Sequence, residues 1–145
     1  MGVALVRFPA YKLNLFIYTG RIDPDAGLRL YSELDPDDPA NAPRWLTYID
    51  KDADFSGIPV TTYPEAKHVL EPKLKRISER RSYCTVVVCR SVQCEFITHF
   101  WRAYVEHDPD YIAHPVFFTN LKDACDWLKL PDEGRQAIAA RPAQG

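Results

Sequence analysis

WLTYIDKDADFSGI, residues 45 to 58, carries an apolar run of strand-forming residues into three alternating aspartates, Asp50, Asp52 and Asp54, and then into Ser56-Gly57. A strand that ends in a polar turn of this kind marks an open α/β sheet, which gathers its polar side chains beyond the carboxyl ends of its strands. The stretch therefore predicts a fold class and a place to look for function. YCTVVVCR, residues 83 to 90, supports the same fold, because it is apolar on both faces. A parallel strand covered by helices on each side has this pattern, and the segment is expected at the middle of the sheet.

Upstream, VALVRF (residues 3 to 8) and KLNLFIYTG (12 to 20) are separated only by Pro9-Ala10-Tyr11. Three residues are too few for a crossover helix, so the pair should form an antiparallel hairpin. Asp23-Pro24 combines an N-cap with proline at the first helical position, opening a helix to about Leu34. Prolines 36, 39 and 43 mark a loop before the opening stretch.

Downstream, Thr62 and Glu65 have capping-box spacing, ahead of a helix to about Arg80 that Pro72 should kink or interrupt. Val92, Phe96, Ile97, Phe100, Trp101, Tyr104 and Val105 recur at three- and four-residue steps, which predicts an amphipathic helix to His107 whose stripe faces the core. HPVFFT (114 to 119) is a fifth strand, Asn120 caps a last helix with Asp123 at its third position, and Pro131 stops it. The expected fold is α/β of order ββαβαβαβα, with a mixed, mostly parallel sheet of about five strands flanked by helices. It forms one domain over residues 1–131, and residues 132–145, rich in Ala, Pro and Gln, read as a flexible tail.

Composition narrows the functional classes. At 145 residues the chain suits a single hydrophobic core. A formal net charge of −2 leaves no basic excess to hold a phosphate backbone, so nucleic acid is not an expected partner. No apolar run approaches the 18 or so residues of a membrane span, so no stable membrane insertion is expected. MGVALVRF is too short for the apolar region of a signal peptide, which gives a cytoplasmic expectation. Cys84, Cys89, Cys94 and Cys125 lack C-x-x-C spacing and read as buried small hydrophobes in a reducing compartment. Position six after Cys89 is Glu95, so no Cys-x-x-x-x-x-Arg phosphatase loop is present. The four histidines (68, 99, 107 and 114) are scattered without ligand spacing, and neither a metal nor a cofactor is expected. Charge is uneven: Asp23 to Asp54 is acidic, whereas Lys73, Lys75, Arg76, Arg80 and Arg81 make the second helix basic. The basic run reads as a solvated helix face, and the two segments are suited to complement each other across a homodimer.

The order of elements resembles the STAS domain, the fold of the sporulation anti-sigma-factor antagonists and of the cytoplasmic tails of sulfate transporters. VFFTNLKDACDWLKL (116 to 130) is similar to the ending of the small stand-alone bacterial STAS-like proteins, where a strand with an aromatic passes through a capped turn into a helix carrying Ala and Trp-Leu. The resemblance covers roughly residues 3 to 130. For the antagonists it implies a phosphorylated serine in Asp-Ser-Ser-Gly-Leu, at the start of the helix after the third strand. Asp54-Phe55-Ser56-Gly57-Ile58 matches at Asp54, Ser56, Gly57 and Ile58 and departs at Phe55, while Pro59 and Pro64 delay the helix start. The resemblance thus implies a non-catalytic regulatory or interaction module with a protein partner. Ser56 is its phosphorylation candidate, and Asp50, Asp52, Asp54, Phe55, Ser56, Gly57 and Ile58 form its interaction or ligand loop. The same residues are also those a simple turn prefers.

Two other chemistries fit the stretch less well. The aspartates have the one-three-five spacing of a calcium loop, but Phe55 stands where glycine is needed and Thr61 where a bidentate glutamate is needed. A Mg²⁺-dependent phosphotransfer site would use Asp50 or Asp52 with Ser91 and Lys122. It lacks the small-residue turn of phosphatases and the Lys-Pro of receivers, so the chain is read as a non-enzyme. The alternative to a protein partner is a nucleotide or lipid, which would need a deep apolar cavity beside Trp45, Phe55 and Trp101.

Overall fold

The computed structural model describes residues 2–38, 42–59, 61–80, 84–93 and 116–144. Strands β1 (Gly2–Phe8) and β2 (Leu13–Thr19) form the antiparallel hairpin that their short linker demands. Pro9–Tyr11 closes as one 3-10 turn, and Lys12, at a left-handed φ of 53°, returns its N–H to the Pro9 carbonyl at 3.1 Å. Helix α1 (Pro24–Glu33) starts as its sequence requires, with Asp25 N donating to Asp23 Oδ1 at 2.9 Å. Strand β3 (Arg44–Ile49), helix α2 (Thr62–Arg80), strand β4 (Cys84–Cys89), strand β5 (Val116–Phe118) and helices α3 (Leu121–Trp127) and α4 (Asp132–Gln144) complete the described elements.

The protein is therefore α/β, with a five-stranded sheet in the order β1-β2-β3-β4-β5. β1 is antiparallel to β2, and β2 to β5 are parallel. The central strand is β3, and β4 stands one place nearer the edge than its apolar sequence suggests. β4 has a strand on each side, and it buries Val86 and Val88 on one face while Thr85 and Val87 on the other are half-buried. Because each parallel strand is added beside the last, the order never reverses. The crevice that a reversal opens in doubly wound sheets does not form among these strands.

One face of the sheet holds the main core. Leu13, Leu15 and Ile17 of β2, Leu46 and Tyr48 of β3, and Val86 and Val88 of β4 pack against Ala124, Cys125, Leu128 and Ile138 from α3 and α4. The opposite face buries Phe16 and Trp45, whose ring centroids are 5.0 Å apart. Helices α1 and α2 pack on each other. Lys73 Nζ donates to the carbonyls of Ser32 (2.7 Å) and Leu34 (2.8 Å) at the end of α1, and Arg76 pairs with both Asp37 oxygens at 2.7 and 3.0 Å. The acidic and basic segments thus meet inside one chain, where complementarity across a dimer is the sequence expectation.

Several expectations change. Helix α2 runs through Pro72 from Thr62 to Arg80. Asn120 caps α3 as expected, accepting from Asp123 N at 2.8 Å. The helix ends in a pair of closing bonds, Leu130 N to Cys125 O and Lys129 N to Asp126 O, with Lys129 at a left-handed φ of 55°. Residues 132 to 144, whose composition suggests a flexible tail, form α4. Its anchor is Ile138, fully buried in the core, while Arg135 binds the Leu130 carbonyl at 2.8 Å and pairs with Asp126. Gly134 lets the helix approach the hairpin turn, since a Cβ there would stand 3.1 Å from the Tyr11 ring. One buried isoleucine suffices to dock a segment that averages polar.

Cys84 and Cys125 are free, and burial raises both thiols above their ordinary range. Cys89 is disulfide-bonded, a departure from the four free thiols expected of a reducing compartment. It ends β4 just before the chain turns at Ser91 to Gln93, and its partner sulfur lies outside the described residues. The amphipathic stripe expected from Val92 to His107 also lies outside them beyond Gln93, and Val92 itself is 96% exposed, not on a core face. Among the described residues no helix is long and apolar enough to cross a membrane.

Candidate functional site

Strands β2, β3 and β4 are parallel and in register, so their carboxyl ends at Thr19, Ile49 and Cys89 line one edge of the sheet. Three loops leave this edge side by side: residues 20 to 22, 50 to 58, and 90 to 93. Backbone bonds carry the ladder past the strand ends, from Asp50 N to Tyr18 O at 3.0 Å and from Arg90 N to Ile49 O at 2.8 Å. Further out, Asp54 N donates to Gly20 O (2.8 Å) and Ile22 N donates to Asp54 O (2.9 Å), making a parallel bridge between Arg21 and Asp54. Gly20 is at a φ of 62°, which lets β2 turn into this bridge without the Cβ clash of another residue.

Side chains lock the three loops together. Asp54 Oδ1 accepts from Ser56 N at 2.9 Å and from Gln93 Nε2 at 3.1 Å. The Ser56 hydroxyl and N–H, with Gln93, hold the Asp54 carboxyl below the ordinary aspartate range, helped by the Arg21 charge. The Gln93 carboxamide oxygen accepts from Phe55 N at 2.9 Å. A carboxamide supplies a donor to the carboxylate and an acceptor to the backbone N–H from two separate atoms, which suits glutamine to this bridge. Beneath it Ser91, 5% exposed, donates to the Ala53 carbonyl at 2.9 Å and accepts from Gln93 N at 3.2 Å. Ile49, Ala53 and Cys89 form a small apolar floor with Tyr18, Phe55 and Val87, where the Tyr18 and Phe55 rings are 5.7 Å apart.

What faces outward is mixed. Ser56 and Gly57 are exposed and Ile58 half-buried, and Val92, between Ser91 and Gln93 in the neighbouring loop, is 96% exposed. Arg21 is exposed and forms no ion pair or hydrogen bond among the described residues; its Nη2 lies 3.4 Å from the place a Cβ on Gly57 would take.

The aspartates do not converge on a cation. Asp50 Oδ1 accepts from Lys51 N at 2.9 Å and lies 3.5 Å from Tyr48 Oη, while Asp52 Oδ1 accepts from Gly20 N at 3.3 Å. Arg90 donates to Tyr48 Oη at 3.2 Å, near Asp50. Among the described residues no three His, Cys, Asp or Glu side chains form a metal-holding group. The phosphotransfer constellation is likewise not assembled here: the Ser91 hydroxyl is turned to the Ala53 carbonyl, and Lys122 acts on Asp126 within α3. Trp45 lies at the amino end of β3, about 13 Å along the strand from its carboxyl end, and bonds Ala42 O at 3.0 Å. Phe55 belongs to the floor beyond the other end, so the two do not line one cavity, and Trp101 lies outside the described residues.

All seven residues of the expected loop are thus placed together, with Ser56 outermost. Reading the sequence overlooks Gln93 and Arg21, which lie 37 residues after and 35 before Ser56. Their only sequence signal is position, each standing within four residues of a strand's carboxyl end. No protein-family model, no curated protein and no solved structure matches the chain.

Proposed function

We propose that the chain is a non-catalytic regulatory module of STAS-like type. It binds a protein partner through the carboxyl edge of its sheet, and phosphorylation of Ser56 controls that binding. The observation that carries this reading is the Asp54-Ser56-Gln93 lock. A loop that presents one exposed hydroxyl at the centre of a hydrogen-bonded brace turns a local chemical change into a rearrangement of three loops. Val92, almost fully exposed in the neighbouring loop, is the apolar contact a partner would cover. Phosphorylation deletes the hydroxyl proton that Ser56 gives Asp54 and puts nearly two negative charges against that carboxylate. The covalent step belongs to a separate kinase. Ser56 Oγ attacks the terminal phosphorus of a nucleoside triphosphate, the bond to the nucleoside diphosphate breaks, and the hydroxyl proton passes to the kinase's base.

Affinity purification of the full chain from its own cells tests the reading, comparing wild type with Ser56→Glu and Val92→Glu. A partner held by wild type and lost by at least Val92→Glu is the expected result. Identical recovered proteins from all three chains would overturn it.

A further inference from the structure

We infer that Arg21 is a built-in receiver for a phosphate on Ser56, so that modification exchanges one brace of the loop for another. This rests on the Ser56 reading above and names how the modified state is held. Three observations carry it. The Arg21 backbone is fixed beside Asp54 by the bonds from Asp54 N to Gly20 O and from Ile22 N to Asp54 O. Its guanidinium lies against Gly57, the residue next to Ser56 in the chain. It is exposed, its charge acts on Asp54, and it has no ion pair or hydrogen bond among the described residues.

The other charges around the loop do not compete for the phosphate. Arg90 is engaged by Tyr48 Oη and lies near Asp50, and the side chains at 50, 52 and 54 are carboxyl groups. A phosphoserine here keeps only its backbone N–H as a donor to Asp54 and sets like charge against that carboxylate. The guanidinium offers the planar fork that phosphate oxygens accept in pairs. Moving the phosphate toward Arg21 draws Ser56 off Asp54 and leaves Gln93 Nε2 as the side-chain donor still on that carboxylate. The device therefore exchanges a contact inside the loop after β3 for one to the loop after β2, while the Gln93 and Ser91 bonds to the loop after β4 stay in place.

The test places phosphoserine at position 56 during translation, so it does not depend on whether any cell makes the modification. The second ionisation of the phosphate, ordinarily near pH 6, is followed by ³¹P NMR in the full chain with Arg21, Arg21→Lys and Arg21→Gln. With Arg21 the midpoint is expected to fall by about half a unit or more below that of the urea-unfolded chain, since a nearby cation favours the dianion. Arg21→Gln should abolish most of that fall and Arg21→Lys only part of it, and added salt should shrink it in the wild type. Equal midpoints in the Arg21 and Arg21→Gln chains would overturn the proposal. Because Arg21 is exposed, neither substitution threatens the fold, and an unchanged circular dichroism spectrum serves as the check. Absence of phosphate on Ser56 in cells would sink the regulatory reading while leaving this result standing.

Discussion

Replacing Ser91 by alanine removes one oxygen atom and should unfasten the loop after β3 from the loop after β4. The hydroxyl donates to the carbonyl of Ala53 at 2.9 Å and accepts from Gln93 N at 3.2 Å. Ser91 and Ala53 are 5% and 4% exposed, so water cannot readily replace the lost donor. A net hydrogen bond is worth about 0.5–1.5 kcal/mol, and a buried acceptor left bare costs about 1–3 kcal/mol, so the change should destabilise the chain by about 2 kcal/mol. Urea unfolding reads it directly: with a slope of about 2 kcal/mol per molar, the midpoint falls by about 1 M at unchanged slope. Hydrogen exchange localises the loss, with the amides of Phe55 and Gln93 speeding more than those of β2. Ser32→Ala is the control, because its hydroxyl bonds the carbonyl of Leu28 at 2.7 Å on an exposed helix surface. That change should stay within about 0.5 kcal/mol. If Ser91→Ala and Ser32→Ala shift the midpoint equally, the interlocked-loop account is wrong.

Asn14 is 1% exposed, and among the described residues neither polar atom of its carboxamide has a hydrogen-bond partner. Asn14→Leu, which keeps the branching of the side chain, should therefore stabilise the protein by about 1–2 kcal/mol, measured by thermal or urea unfolding; a clear loss of stability would show that the amide is satisfied in solution. Ile138→Ala should cost about 2–5 kcal/mol and expose α4 to proteolysis, whereas a neutral result would mean that α4 does not share the core. The Asp54 carboxyl is more acidic in the folded chain than in the unfolded one, so its contribution is fully present above the unfolded value, near pH 3.9, and is lost as pH falls through the lower folded value. Carboxyl ¹³C titration should place its midpoint below the ordinary aspartate range, and Gln93→Leu should raise it; a midpoint at or above that range contradicts the brace.

The elements that depend on neighbours in sequence are legible without a structure. The hairpin follows from a three-residue linker, α1 from Asp23-Pro24, and the cap of α3 from Asn120 and Asp123. The position of the loop follows from the break between Ile49 and Asp50. What the sequence conceals depends on partners distant along the chain. Gln93 reads as a polar residue in an apolar stripe until the register of β3 and β4 brings it to Asp54 and Phe55. Arg21 carries no signal in the sequence beyond its position, and only the turn at Gly20 brings it beside Gly57. Helix α4 escapes a reading by average composition because a single side chain, Ile138, docks it. The basic helix reads as a solvated face until Lys73 and Arg76 are seen bonding the carbonyls at the end of α1 and pairing with Asp37.

The central claim is that Ser56 is the regulated residue of a partner-binding edge. Its most direct test is phosphopeptide mapping of the chain isolated from its own cells across growth and stress conditions. Trypsin releases residues 52 to 67 as one peptide, and fragmentation separates Ser56 from Thr61, Thr62 and Tyr63. The account predicts a fraction of this peptide carrying one phosphate on Ser56 in at least one condition. Full coverage of the peptide with phosphate absent, or confined to Thr61, Thr62 or Tyr63, would contradict it.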